Sequence, residues 1–95
     1  MSGIVIYTTS EILEHKKGVD GYEWYYWAMS RAPKHLEEGD DIFFAVSGFV
    51  VGSFKCEAFN PWDKEETITW HKDSWVSLSN PIAVIPFRGF RYVWW

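Results

Sequence analysis

The side chains with the clearest chemistry in this sequence are aromatic rings beside a short run of positive charges. Residues 22–29 read YEWYYWAM and place five aromatic rings in six positions, and residues 30–35 read SRAPKH, without an acidic side chain. Aromatic faces stack on nucleobases with about 1 to 3 kcal/mol each, and neighbouring Arg or Lys side chains can reach phosphate. The combination favours a surface that binds nucleic acid, RNA above all, or a modified nucleotide. The alternative is that the same rings fill the core of a small domain.

Seven side chains carry the binding prediction. We expect three of them to stack on bases: Trp24, Trp27 and Trp62. We expect the other four to contact phosphate or base edges: Arg31, Lys34, Arg88 and Arg91. On a strand, Trp24 and Tyr26 share one face while Tyr25 and Trp27 share the other, because successive side chains alternate. One set must pack inward. The other set either meets a covering segment or forms an aromatic wall for a ligand.

The motifs of several enzyme classes are absent from the sequence. There is no GxxxxGK(S/T) phosphate loop, GxSxG elbow, CxxC pair or HExxH helix. The three His residues are scattered and a single Cys cannot form a structural zinc site, so we predict no metal, no cofactor and no catalytic residue. The net charge of −4 argues against broad binding of nucleic acid through many Lys and Arg contacts.

Two other functions stay open at this point. A small amidohydrolase acting on a modified nucleoside would draw on Lys55, Glu57, Thr69 or His71, because a nucleophile needs a base within reach. Within that set, Thr69 and His71 share one face of a predicted strand. A protein-interaction module, with a homodimer as its simplest form, would use the aromatic residues 92–95 as an adhesive strand edge.

Length and composition limit the class of protein. The 95 residues suffice for one domain, 1–95, with a single core. Because Cys56 is the only cysteine, it cannot form an internal disulfide, and we read it as a packed core thiol. The N-terminal residues lack the pattern of a secretory signal, and no apolar run has the length of a membrane span. We therefore expect a soluble, cytoplasmic protein that does not bind membranes.

Strands are the main elements that would position these side chains. Residues 36–54 read as a hairpin, in which two apolar runs are joined by a Ser-Gly turn. Since the runs are apolar at consecutive positions, we expect neither face to be fully solvated, which suits the central strands of a small closed barrel. Further strands are predicted at 3–8, 22–29, 67–71, 75–78, 82–85 and 88–95, with a short helix at 11–16 capped by Thr9 or Ser10. The fold class is therefore mainly β (α+β).

The segment APKHLEEGDDIFFAVSGFVVGSF resembles the PUA-like superfamily, especially its ASCH and EVE-type members. In those proteins a helical turn leads into a Gly-Asp pair, a strand, a short turn and a Gly-containing strand. The resemblance covers most of the chain from residue 22 onward and implies a small, partly open β-barrel of five or six strands with one or two short helices. It also implies that a cleft beside the barrel binds RNA or modified nucleobases. Carried over by position are the cleft residues Trp24, Trp27, Ser30 and Arg31, the turn cap Asp40, and Gly52 at a close strand contact.

Overall fold

The structure, a computed structural model, describes residues 3–19, 21, 23–28, 36–59, 67–93 and 95. These residues form eight strands: β1 (Gly3–Thr8), β2 (Trp24–Ala28), β3 (Asp41–Val46), β4 (Phe49–Lys55), β5 (Ala58–Phe59), β6 (Thr67–His71), β7 (Val76–Ala83) and β8 (Phe90–Tyr92). One short α-helix, α1 (Ser10–Glu14), continues into a π-helical turn, His15–Val19, and a 3₁₀ turn, Lys72–Ser74, precedes β7. The prediction of a mainly β fold is confirmed.

The strands form two sheets. The five-stranded sheet has the order β7-β4-β3-β1-β8, with β1 parallel to β3 and the other pairs antiparallel. The three-stranded sheet has the order β2-β6-β5 and is antiparallel. Because parallel neighbours need a crossover, α1 and β2 lie between β1 and β3 in the chain. In the described part of the chain, the result is a small β-rich fold of two sheets, and the strands do not close into a barrel.

The predicted hairpin is present as β3 and β4, and its turn explains the Ser-Gly pair. Ser47 and Gly48 have positive φ values, 52° and 88°, as in the tight turns that join twisted antiparallel strands. The Tyr7 hydroxyl accepts a hydrogen bond from the backbone N–H of Gly48 and ties this turn to β1. Where the hairpin begins, the Asp40 carboxylate accepts a 2.9 Å hydrogen bond from the N–H of Glu37. Asp40 therefore caps this turn as expected.

Two hydrophobic clusters cover the two faces of the five-stranded sheet, because alternate residues of its strands point in opposite directions. The first cluster joins this sheet to α1 and to the three-stranded sheet: Ile4, Ile6, Leu13, Tyr25, Leu36, Ile42, Phe44, Phe54, Cys56, Ile68 and Trp70. The second cluster consists of Val5, Phe43, Ala45 and Val50, and side chains of the C-terminal segment pack against it. Both faces of the hairpin are thus covered, as its consecutive apolar positions predicted.

The helical region is longer than the predicted 11–16, and only its first part is an α-helix. The α-helix covers Ser10–Glu14, with Thr9 as the N-cap, and the π-helical turn follows directly. The hydroxyl of Thr9 accepts a 3.2 Å hydrogen bond from the N–H of Ile12, which satisfies one of the free donors at the helix start. No helix in the described residues has the length and apolar character that crossing a membrane requires.

The C-terminal strands also differ in extent from the prediction. The two runs predicted at 75–78 and 82–85 belong to one strand, β7, which bulges between Ser77, opposite Gly52, and Ile82, opposite Val50. A bulge bends the strand and interrupts its ladder, which is why the sequence reads as two segments. The strand predicted at 88–95 is limited to Phe90–Tyr92.

Cys56 has the environment of a core thiol. It is 2% exposed and belongs to the first cluster. Burial, with a smaller contribution from the carboxylates of Glu38, Asp40 and Glu57, raises the pKa of its thiol to about 12. Since the thiolate is the reactive form, Cys56 is inert in the folded protein, as the sequence indicated.

Candidate nucleic-acid interface

The predicted aromatic strand is β2, and its rings alternate between two environments. β2 is antiparallel to β6, with Tyr25 opposite Trp70. Tyr25 is 6% exposed in the first cluster, whereas Trp24 and Tyr26 are 49% and 43% exposed. The prediction that one set of rings packs inward is confirmed. The outward set, Trp24 and Tyr26, is the aromatic surface that remains accessible to a ligand.

The two predicted stacking residues of β2, Trp24 and Trp27, lie on opposite faces of the strand. Trp27 packs against the first cluster, with its ring centroid 5.5 Å from that of Phe44. Trp24 lies edge-on to the imidazole of His71, at 4.8 Å between ring centroids. The structure therefore does not bring Trp24 and Trp27 into one cleft, because three positions along a strand reverse the side-chain direction. Binding of a ligand by either ring stays a prediction.

The π-helical turn brings a cation to β2. The ammonium of Lys16 donates a 2.9 Å hydrogen bond to the carbonyl oxygen of Tyr26 and lies 4.6 Å from the centroid of the Tyr26 ring. The carbonyl oxygen of Lys16 accepts a 3.2 Å hydrogen bond from the indole N–H of Trp70, which anchors the turn to the first cluster. Burial lowers the pKa of Lys16 below its ordinary value. Trp24, Tyr26 and Lys16 form a surface that we call the β2 platform.

The remaining predicted binding residues do not join the β2 platform within the described part of the chain. Arg91 pairs with Val5 across β8 and β1 and therefore lies on the side of the second cluster, where its guanidinium carbon is 5.0 Å from the Phe87 ring centroid. Arg88 is exposed in the segment before β8. Four of the predicted residues lie outside the described residues, and their contribution stays a prediction: Ser30, Arg31, Lys34 and Trp62.

A groove of about 260 Å³ lies between α1 and the five-stranded sheet. We call it the α1 groove, and its lining combines aliphatic, hydroxyl, charged and indole groups: Ser10, Leu13, Glu14, Lys17, Val46, Val51, Trp75 and Ser77. The indole N–H of Trp75 donates a 3.0 Å hydrogen bond to the hydroxyl of Ser77. The ammonium of Lys17 lies 4.6 Å from the centroid of the Trp75 ring and 3.3 Å from the Glu14 carboxylate. None of these residues was predicted as a binding residue.

Three of the four candidates for hydrolytic chemistry are held in structural contacts or buried, and the fourth, Glu57, is exposed. The ammonium of Lys55 pairs with the carboxylate of Asp41, and Thr69 is 5% exposed. Thr69 and His71 are on one face of β6 as expected, and Nδ1 of His71 accepts a 3.1 Å hydrogen bond from the N–H of Asp73. Within the described residues, no group of three or more His, Cys, Asp or Glu side chains could hold a metal ion.

The C-terminal aromatic residues pack largely onto the sheet. Trp95 contacts Phe43 of the second cluster edge-on, at 5.2 Å between ring centroids, and the N–H of Val93 donates a 3.2 Å hydrogen bond to the carbonyl oxygen of Gly3. Of the two rings of this segment that the structure describes, Tyr92, at 39% exposed, is the more accessible. The homodimer predicted through residues 92–95 stays a prediction.

Comparison of the chain with protein-family models, curated proteins and solved structures finds no match. The resemblance to the PUA-like superfamily is therefore a prediction, as are the residue roles that were carried over with it.

Proposed function

We propose that this protein binds RNA or a modified nucleotide through the β2 platform. The observation that carries the proposal is the pair of half-exposed rings, Trp24 and Tyr26, on one face of β2, with the ammonium of Lys16 against the second ring. Single exposed apolar side chains are common on protein surfaces, but adjacent aromatic rings beside a fixed cation are the usual elements of a base-stacking surface.

The spacing of the two rings suits stacking on more than one base. Residues two apart on a strand are separated by about 6.8 Å and point in the same direction. Exposed aromatic residues on a sheet surface can each stack on a base that has left its helix, and such stacking tolerates any base. The β2 platform therefore fits a single-stranded segment or a flipped, modified base better than a double helix.

The charge of the protein agrees with this mode of binding. With a net charge of −4, the protein cannot rely on many phosphate contacts, so stacking must supply most of the binding free energy. Lys16 is the cation that the structure places at the rings, 5.8 Å from the Trp27 ring as well as 4.6 Å from that of Tyr26. We assign it the contact with a phosphate or a base edge.

The predicted cations and rings that lie outside the β2 platform would supply a second set of contacts with the ligand. Ser30, Arg31 and Lys34 follow β2 directly in the sequence, which favours a continuous binding path from Trp24 through this segment. The other members of this set are Trp27, Trp62, Arg88 and Arg91. An Arg31→Ala variant tests the path, because loss of a phosphate contact weakens binding and lowers its salt dependence.

The decisive experiment measures the affinity of a fluorescently labelled single-stranded RNA by anisotropy at fixed salt. Trp24→Leu and Tyr26→Leu should each weaken binding about fivefold or more, since each removes a stacking surface. Phe49→Leu is the matched control, because Phe49 is a 48% exposed ring in the other sheet. Unchanged affinity in both β2 variants, or equal losses in the control, would refute the assignment. Competition by free modified nucleosides distinguishes binding of one nucleotide from binding of a longer strand.

A further inference from the structure

The α1 groove already contains a group that shows which ligand it suits. Lys17 is part of the chain, yet its ammonium is held as a bound cation would be, over the Trp75 ring and beside the Glu14 carboxylate. An aromatic face attracts cations through its negative quadrupole, and a carboxylate supplies the opposite charge. Both elements of an organic-cation site are therefore present, and a side chain of the protein stands where the ligand would be.

We propose that the α1 groove is a binding site for an organic ammonium ion and that Lys17 occupies it when no ligand is bound. On binding, the ammonium of the ligand replaces that of Lys17 over Trp75, and the Lys17 side chain turns into solvent. The site shares no residue with the β2 platform, so it does not depend on nucleotide binding.

Lys17 is held weakly enough to be displaced. Its side chain is 29% exposed and that of Glu14 is 61% exposed, and ion pairs of such exposure contribute little because water screens them. A lysine at the end of a short helical segment also regains side-chain freedom when it is released. Release of Lys17 leaves the Glu14 carboxylate and the Trp75 face available to another cation.

The size and lining of the groove define the ligand further. With Lys17 in place, its free volume of about 260 Å³ is below the range of about 300 to 1,000 Å³ that is typical of sites for larger organic ligands. Leu13, Val46 and Val51 provide apolar contact for methyl or short alkyl groups. Because the indole N–H of Trp75 is bonded to Ser77, the ring offers its face rather than a donor. A methylated or short-chain alkylammonium ion fits these features.

A planar uncharged ring is the alternative occupant, and the charges argue against it. Such a ring would need the Trp75 face that Lys17 covers, and it would leave the Glu14 carboxylate without its cation. A cationic ligand restores both contacts that Lys17 gives up.

The test uses tetramethylammonium as the probe and the indole ¹H–¹⁵N signals of the protein as the readout. We expect a saturable shift of the Trp75 indole signal, assigned with a Trp75→Phe variant, in the millimolar range. The Trp70 indole signal is the internal control, since that N–H is bonded to the Lys16 carbonyl and should not move. Neopentyl alcohol, which has nearly the same shape without the charge, and sodium chloride at equal ionic strength should have no such effect.

Variants of the groove determine whether Lys17 competes with the probe. Lys17→Ala should bind tetramethylammonium about threefold more tightly or better, because the competent state of the groove is then always populated. Lys72→Ala removes the same charge from the turn before Trp75 and should leave the affinity unchanged. In the Lys17→Ala background, Glu14→Gln should weaken binding about threefold or more, since the carboxylate is lost.

Three results would overturn the proposal. They are the absence of a saturable Trp75 shift in both the unaltered protein and Lys17→Ala, equal affinity in these two proteins, and equal binding of neopentyl alcohol. The last result would identify the groove as a cavity for apolar molecules. An unchanged Trp70 signal in each variant shows that the fold is intact.

Discussion

The indole of Trp75 lies directly on Gly52, in the space that a side chain at that position would occupy. A Cβ added to Gly52 would overlap the six-membered part of the indole and would approach the carbonyl oxygen of Val76 to 2.7 Å. The indole also packs against Phe54, at 4.9 Å between ring centroids. The close strand contact expected at Gly52 is thus a contact between strand backbone and the ring that lines the α1 groove.

Gly52→Ala should destabilise the protein by about 1 to 3 kcal/mol, because overpacking forces both the indole and the β7 backbone to move. Urea unfolding followed by circular dichroism measures the loss. The double variant Gly52→Ala with Trp75→Leu separates the clash with the indole from the clash with the β7 backbone. If the indole is the main obstacle, leucine at position 75 relieves the clash, and the double variant loses less stability than the two single variants together. Additive losses would show that the β7 backbone, and not the indole, sets the requirement for glycine.

Lys16→Ala should weaken binding of single-stranded RNA and reduce its dependence on salt. One phosphate contact to a single strand contributes about −0.7 to the slope of log K against log salt. We therefore expect the slope to become less steep by about that amount, as measured by anisotropy between low and moderate salt. If binding weakens while the slope stays unchanged, Lys16 positions the Tyr26 ring and does not contact a phosphate.

The buried thiol of Cys56 should make stability depend on alkaline pH. Its pKa is about 12 in the folded protein and lies near 9 when the chain is unfolded, so only the unfolded chain loses the proton between these values. This part of the stability is complete below about pH 9 and is lost as the pH rises toward about 12. Urea unfolding measures the free energy of unfolding at about pH 8 and about pH 10.5. Between these two pH values it should fall by about 1 to 2 kcal/mol more in the unaltered protein than in Cys56→Ala. Equal declines would place the thiol in a less buried state than the structure shows.

Trp95→Ala should lower the free energy of unfolding by about 1 to 3 kcal/mol, because Trp95 packs on Phe43 within the same chain. The loss should be the same at all protein concentrations. If residues 92–95 formed a dimer contact instead, stability would rise with concentration in the unaltered protein and that dependence would vanish in the variant.

The parts of this structure that the sequence predicted depend on local patterns. Consecutive apolar residues on both sides of Ser47 and Gly48 indicated a hairpin with two covered faces, and alternation in β2 indicated that its rings divide between core and surface. The same alternation separates Trp24 from Trp27, although the sequence suggested that both contribute to one cleft. Local patterns give the direction of each ring but not which surface lies opposite.

The features that the sequence did not predict arise from contacts between distant segments. Lys16 and Lys17 are consecutive, yet their ammonium groups point to different parts of the fold. That of Lys16 contacts Tyr26 and that of Lys17 contacts Trp75, because successive side chains of the π-helical turn point in different directions. Arg91, whose contact with a ligand stays a prediction, lies on the face of the five-stranded sheet that the second cluster covers, because it pairs with Val5. Neither outcome can be derived from the order of residues, since both depend on how the two sheets pack.

The position of β1 between β3 and β8 has a consequence for how the protein is made. Ile4 pairs with Ile42 on one side and with Tyr92 on the other, so the second hydrogen-bonding edge of β1 stays unpaired until β8 has been synthesised. Pairing over such a sequence distance is slow, because a long loop must close before the contact forms. We expect chains that lack β8 to expose an aggregation-prone strand edge on β1.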